Sequence, residues 1–131
     1  MSRIISLSLL GLAALASTAV LAGPASATSP PTCQINPSTS GPSPIVCGTF
    51  RAASTYGIHN AVANGPSTGY TWTVPAGITS FSGCSFTTAF CDFTFHSDGN
   101  DHDLTTSVQI NGSSPLSVTA VIPAVCGRFL C

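Results

Sequence analysis

The chain has 131 residues, of which 44% are hydrophobic and only 5% are charged. Three Arg and four Asp carry all of the side-chain charge, with no Lys and no Glu, whereas disordered chains combine low hydrophobicity with high net charge. Nucleic-acid binding requires many Lys and Arg side chains to neutralise phosphates, so this class of function is effectively excluded.

The first 27 residues have the pattern of a secretory signal peptide. Arg3 and the amino terminus are positively charged, residues 4–21 are apolar, and residues 25–27 are an Ala-Ser-Ala cleavage site. The apolar run is nearly long enough to span a bilayer, but the cleavage site after it favours removal. We therefore expect a secreted, extracellular protein that begins at Thr28 and has no membrane span after cleavage.

Six cysteines follow the cleavage site, and an even number in an exported protein predicts a disulfide framework. No C-x-x-C knuckle occurs, so we do not expect zinc binding through cysteine. Several connectivities are open to six cysteines, and we favour sequential pairing because each successive pair encloses a short segment with turn residues. The cysteines are Cys33, Cys47, Cys84, Cys91, Cys126 and Cys131.

The segment after the signal peptide, residues 28–44, is a lead dense in Pro, Ser and Gly. We expect neither a helix nor a central strand in it. Residues 45–51 are a short strand candidate, and residues 55–63 have weak periodicity typical of a loop or irregular strand. The predicted organisation is a signal peptide over 1–27, the lead over 28–44 and one β domain over 45–131.

Strict alternation of apolar and polar residues predicts strands from Thr68 onward. Tyr70, Trp72 and Val74 share one face of the first strand. Further strands are expected over residues 78–81 and 90–95, the latter with its cysteine and two phenylalanines on one face.

The clearest hairpin joins residues 104–110 to residues 116–122 through an Asn-Gly-Ser-Ser-Pro turn. No window after residue 27 has a helical period. Several short strands at regular spacing therefore predict an all-β fold of the sandwich type, stapled by disulfides.

Residues 70–77, Tyr-Thr-Trp-Thr-Val-Pro-Ala-Gly, resemble the Y-x-W-x-V-P-x-G strand and turn of bacterial PKD-like, immunoglobulin-like extracellular domains. The similarity extends loosely from Thr68 to Ile122. In that family the Trp is a core residue, so the resemblance implies a small immunoglobulin-like β-sandwich with Trp72 inside it. It also implies an adhesion, spacer or ligand-presenting role, and it transfers no catalytic residue.

One motif of hydrolases occurs: residues 65–69, Gly-Pro-Ser-Thr-Gly, match the G-x-S-x-G nucleophile elbow. That elbow needs a helix directly after the serine, but residues 70–74 have a strand pattern. The chain left after cleavage is also short for a hydrolase sheet with flanking helices. We interpret the motif as a turn and expect no enzymatic activity.

A polar loop from His96 to Asp103 contains three of the four acids. Asp98, Asp101 and Asp103 offer the oxygen ligands that calcium prefers. An EF-hand requires glycine where Asp103 stands and a closing Glu, and the chain has no Glu. We interpret the segment as a solvated hairpin loop and expect no cofactor. Calcium binding by the three aspartates and a transition-metal site at the histidines remain as alternatives.

Five aromatic residues suggest a second ligand chemistry, since aromatic rings can stack on sugar rings. They are Phe50, Tyr56, Tyr70, Trp72 and Phe129. Strand alternation instead favours the core for Tyr70 and Trp72.

The expected function is a secreted, non-enzymatic extracellular β-sandwich module with a structural, adhesive or surface-interaction role and an unknown extracellular or cell-wall partner. Two alternatives stay open: a glycan-binding module, and an inhibitor-like disulfide scaffold that presents one stapled loop.

Overall fold

A computed structural model describes residues 29–38 and 40–131. The predicted signal peptide lies outside these residues. The described chain forms eleven β-strands and no helix, so the all-β prediction is confirmed. Since helices are absent from this part of the chain, it contains none that could cross a membrane.

Five strands form the larger sheet, in which all neighbours are antiparallel. In chain order they are β1 (Thr32–Asn36), β2 (Ser43–Pro44), β4 (Thr55–Ala61), β6 (Phe81–Gly83) and β7 (Phe90–His96). Their order across the sheet is β2-β1-β4-β7-β6.

Four strands form the second sheet, in the order β3-β9-β8-β5. They are β3 (Val46–Gly48), β5 (Tyr70–Thr73), β8 (His102–Ile110) and β9 (Leu116–Ile122). The predicted hairpin is confirmed as β8 and β9, and β3 pairs parallel to β9 at the edge. A separate two-stranded hairpin of β10 (Val125–Cys126) and β11 (Phe129–Leu130) follows.

The main hydrophobic core draws side chains from both large sheets, because each sheet buries alternate residues of its strands. The five-stranded sheet contributes Cys33, Ile35, Tyr56, Ile58 and Phe93, and the four-stranded sheet contributes Cys47, Leu104, Val118, Ala120 and Ile122. The buried positions of β8 and β9 are on the predicted inward face, with the polar Thr106 buried among the apolar residues and Leu116 only partly buried.

A second, smaller core cluster consists of Val62, Tyr70, Val108 and Ile110. Trp72 packs against this cluster and is only half-buried. Its indole nitrogen donates a hydrogen bond to the Thr88 carbonyl oxygen at 2.9 Å. Tyr70 therefore occupies the interior position, and Trp72 covers the side of the cluster.

Several local predictions are wrong. The strand expected over residues 78–81 begins only at Phe81, as β6. The loop between His96 and Asp103 is not a hairpin loop, because it joins β7 of the larger sheet to β8 of the second sheet.

β1 lies between β2 and β4, within the lead where no central strand is expected. Pro31 and Pro37 flank this strand and do not occupy it, so every ladder N–H of β1 is retained. β4 is a central strand, whereas the sequence predicts a loop or irregular strand there. The prediction fails because the buried Asn60 occupies an inward position and masks the apolar period of the strand.

All six cysteines form disulfides in sequential pairs, as predicted: Cys33–Cys47, Cys84–Cys91 and Cys126–Cys131. The first bond connects β1 to β3 and therefore joins the two large sheets through the core. The second closes the segment between β6 and β7, and the third closes the β10–β11 hairpin.

Candidate ligand-binding cleft

A cleft of about 360 Å³ opens on the outer face of the five-stranded sheet. Its lining includes outward-facing residues of β1, β4 and β7, together with residues 80–82 at the sheet edge. The outward positions of these strands alternate with the buried positions of the main core. The cleft is therefore on the opposite side of the sheet from the core.

The strand register places a row of four polar side chains across the cleft. Gln34 lies opposite His59, His59 lies opposite Asp92, and Asp92 lies opposite Ser82. Each residue comes from a different strand, and neighbouring strands are separated by about 4.8 Å. We call these four residues the polar row.

Gly57 leaves the floor of the cleft open beside the polar row. It lies opposite both Asn36 and Thr94 on the neighbouring strands. A Cβ atom added at Gly57 would approach nothing closer than the Asn36 Cβ and carbonyl oxygen, both at 4.0 Å. A side chain at this position would therefore occupy the cleft and would not collide with the sheet.

His59 and Asp92 form the central pair of the polar row. The His59 Nδ1 and the Asp92 Oδ1 are 2.5 Å apart. A carboxylate can only accept, so Nδ1 carries the hydrogen, and Nε2 of the neutral ring is left as an acceptor. The His59 ring also lies beside the Phe90 ring, with centroids 6.4 Å apart.

This arrangement supports hydrogen bonding to a ligand better than nucleophilic catalysis. In a catalytic triad the histidine lies between the serine and the carboxylate and takes the serine proton. Here Asp92 lies between Ser82 and His59 in the register. His59 is therefore one strand removed from Ser82 and is not placed to deprotonate it.

The G-x-S-x-G segment does not have the architecture of a nucleophile elbow. β5 begins at Tyr70, immediately after the motif, where the elbow requires a helix. The Tyr70 hydroxyl donates to the Pro66 carbonyl oxygen at 2.6 Å, which ties the turn to the second core cluster.

The aspartates of the polar loop bind parts of the protein itself. The Asp98 Oδ1 accepts hydrogen bonds from the Asn100 backbone N–H at 3.0 Å and from the His102 Nε2 at 2.7 Å. These two bonds, the backbone bond foremost, lower the pKa of Asp98 from 3.8 to about 2. The Asp101 carboxylate accepts from the Ala124 N–H and so anchors the segment before β10.

The calcium candidates Asp98, Asp101 and Asp103 are consequently not gathered around one point. Across residues 29–38 and 40–131, no group of three or more His, Cys, Asp or Glu side chains is arranged to hold a metal ion.

The five aromatic residues considered for sugar stacking do not form one platform. Tyr56 and Tyr70 are fully buried, and both hydroxyls donate to backbone carbonyl oxygens. Phe50 and Phe129 are exposed but belong to different segments.

Phe81 and Phe93 are also among the residues of the cleft, but the register pairs Phe81 with the buried Phe93, so both side chains belong to the core side of the sheet. Phe90 is an aromatic residue on the outer face, where its ring lies beside His59.

The sequence-based reasoning also misses the polar row. Gln34 lies in the Pro-rich lead, His59 lies in a segment without a clear period, and Ser82 lies just after the strand predicted over residues 78–81. Their common face depends on the register of four strands, which a single sequence does not specify. No family model, curated protein sequence or solved structure matches this chain.

Proposed function

We propose that this chain is a secreted, non-enzymatic extracellular module of immunoglobulin-like β-sandwich architecture, with an adhesive or surface-interaction role. The observation that carries the proposal is the polar row in an open cleft on the outer face of the five-stranded sheet. Central strands hold side chains more precisely than loops do, and precise placement favours ligand recognition.

Several features support the extracellular part of the proposal. Three disulfides use every cysteine of the chain, and disulfides persist in oxidising compartments. The signal-peptide pattern agrees with export, and the shared core and the Cys33–Cys47 bond between the two large sheets support a sandwich.

A second candidate function, an inhibitor-like scaffold, is favoured by the loop between Cys84 and Cys91. The Phe86 side chain is 63% exposed, while its carbonyl oxygen accepts hydrogen bonds from the N–H groups of Gly69 and Tyr70 at 2.9 and 3.1 Å. A rigid loop with an exposed aromatic residue loses little conformational entropy on binding a partner.

Retention of the purified protein by insoluble extracellular surface material tests both candidates. The Gly57→Val variant fills the cleft, and Gly48→Val is its matched control, because Gly48 is a strand glycine of the other sheet with open space around it. We expect Gly57→Val to lose retention, and Gly48→Val and Phe86→Ala to keep it. Loss only in Phe86→Ala would assign binding to the stapled loop.

A further inference from the structure

We infer that the cleft binds an uncharged carbohydrate, an inference that rests on the proposed function and names its ligand class. The ligand would lie along the polar row, with one sugar ring against Phe90, whose ring lies beside His59 on the same face. The site differs from the aromatic residues that the sequence suggests for sugar stacking.

The charge of the cleft argues against anionic ligands. Among the described residues that line it, Asp92 is the one with a formal charge at neutral pH, and neither Arg51 nor Arg128 takes part. Phosphate, sulfate and carboxylate groups are recognised by Arg, Lys or clustered N–H donors. An anion placed here would face the Asp92 carboxylate without an arginine to offset the repulsion, and a positive charge on His59 would already be paired with Asp92.

The hydrogen-bonding capacity of the cleft argues against an apolar ligand. Gln34 and Asn36 provide amide donors and acceptors, and Ser82 and Thr94 provide hydroxyls. In the described part of the chain these four side chains have no intramolecular hydrogen-bond partner. An apolar ligand would remove their water and leave them unsatisfied, at considerable cost.

A sugar meets both conditions, because its hydroxyls donate and accept while its ring presents apolar C–H groups. The amides and hydroxyls of the cleft match the hydroxyls, and the His59 Nε2 adds an acceptor beside them. Phe90, which is 38% exposed on the same outer face as Asp92 and lies beside the His59 ring, supplies an aromatic surface for the ring. The volume of about 360 Å³ lies within the roughly 300–1,000 Å³ range of small-ligand pockets.

The experiment is a titration of the ¹⁵N-labelled protein with four tetrasaccharides, followed by amide resonances. Cellotetraose and chitotetraose are neutral, the glucosamine tetramer is cationic, and tetragalacturonate is anionic. We expect at least one neutral tetramer to shift the amides of Gly57, His59 and Asp92, and neither charged tetramer to bind more tightly. Shifts confined to other regions, no binding by either neutral tetramer, or tighter binding of a charged tetramer would overturn the inference.

Variants test the geometry of the site. Phe90→Ala should weaken binding of the neutral tetramer by about tenfold, since it removes the stacking surface, and Phe90→Tyr should restore it. Gly57→Val should weaken it by at least about tenfold, and Gly48→Val should bind as the wild type does. Wild-type affinity in Gly57→Val would contradict the assignment.

Treatment of the surface material separates failure of this inference from failure of the proposed function. Periodate cleaves vicinal diols of carbohydrates, and protease removes protein. We expect periodate to abolish Gly57-dependent retention and protease to leave it intact. Retention that depends on Gly57 and survives periodate but not protease would contradict a carbohydrate ligand. It would leave the proposed function as a surface-interaction module standing. No retention by any surface material would contradict both.

Discussion

Cys33 on β1 and Cys47 on β3 form a buried disulfide that joins the two large sheets through the main core. Their separation is 14 residues in sequence, and closing a loop of that size in the unfolded chain stabilises a protein by about 3 kcal/mol. The bond therefore contributes both a chain constraint and core packing.

Replacing both Cys33 and Cys47 by Ala should lower the free energy of unfolding by about 3 kcal/mol or more. The matched control replaces Cys126 and Cys131, which close a shorter loop in the peripheral β10–β11 hairpin and should contribute about 2 kcal/mol. Denaturant titration of both variants measures the difference. An equal or larger loss in the Cys126/Cys131 variant would contradict the importance of the bond between the sheets.

Tyr70→Ala should destabilise the protein more than Trp72→Ala, although Trp is the larger residue. Tyr70 is fully buried and should cost about 3–5 kcal/mol, as large aromatic truncations in a core do. Trp72 is half-buried, so about half of that range is expected. Chemical denaturation gives both values, and a Trp72 variant that is less stable than the Tyr70 variant would place the indole in the core proper.

The Asp98 carboxylate should make stability depend on pH in acid. Its pKa in the folded protein is about 2, below the ordinary value of 3.8. The stabilisation is complete at pH values above the ordinary pKa of the carboxyl group and is lost as the pH falls through its pKa in the folded protein. The difference in melting temperature between the wild type and Asp98→Asn should therefore be constant above about pH 5 and shrink between about pH 4 and pH 2. A difference that does not change over this acid range would show that the carboxylate charge contributes nothing.

Calcium should not stabilise the fold appreciably. Asp98 and Asp101 accept hydrogen bonds from different parts of the chain, and no group of three acidic or His side chains in the described residues is arranged to hold an ion. We expect nearly equal melting temperatures in EDTA and in about 1 mM calcium, because weak binding gives a small linkage term. A large upward shift with calcium that disappears on replacing Asp98, Asp101 and Asp103 by Asn would establish a calcium site.

Local sequence patterns correctly predict those parts of the fold in which the alternation of apolar and polar residues and the position of turn-forming residues indicate the same structure. The β8–β9 hairpin is one example, since its apolar alternation and its Asn111-Gly112 turn specify the same structure. The strand carrying Cys91 and Phe93 is another. The sequential disulfides follow from the short segments between successive cysteines, although Cys33–Cys47 joins strands of different sheets.

Other features arise only from tertiary structure. β1 is held in the sheet by its pairing with β4. Because prolines flank it, the local composition predicts that this segment is not a central strand. In β4, Asn60 interrupts the apolar period on the core side, where its amide N–H donates to the carbonyl oxygen of the buried Cys91. The polar row of the candidate site lies on the opposite face, and its four side chains come together only through the register of their strands.

Hydroxyl-radical footprinting of the protein bound to extracellular surface material tests the location of the binding site most directly. Oxidation of three exposed ring side chains reports on three regions: His59 in the cleft, Phe86 in the stapled loop and Phe129 in the peripheral hairpin. Binding through the cleft predicts that His59 is protected relative to the free protein, while Phe86 and Phe129 are oxidised as before. Protection of Phe86 or Phe129 with unchanged oxidation of His59 would contradict the cleft as the binding site.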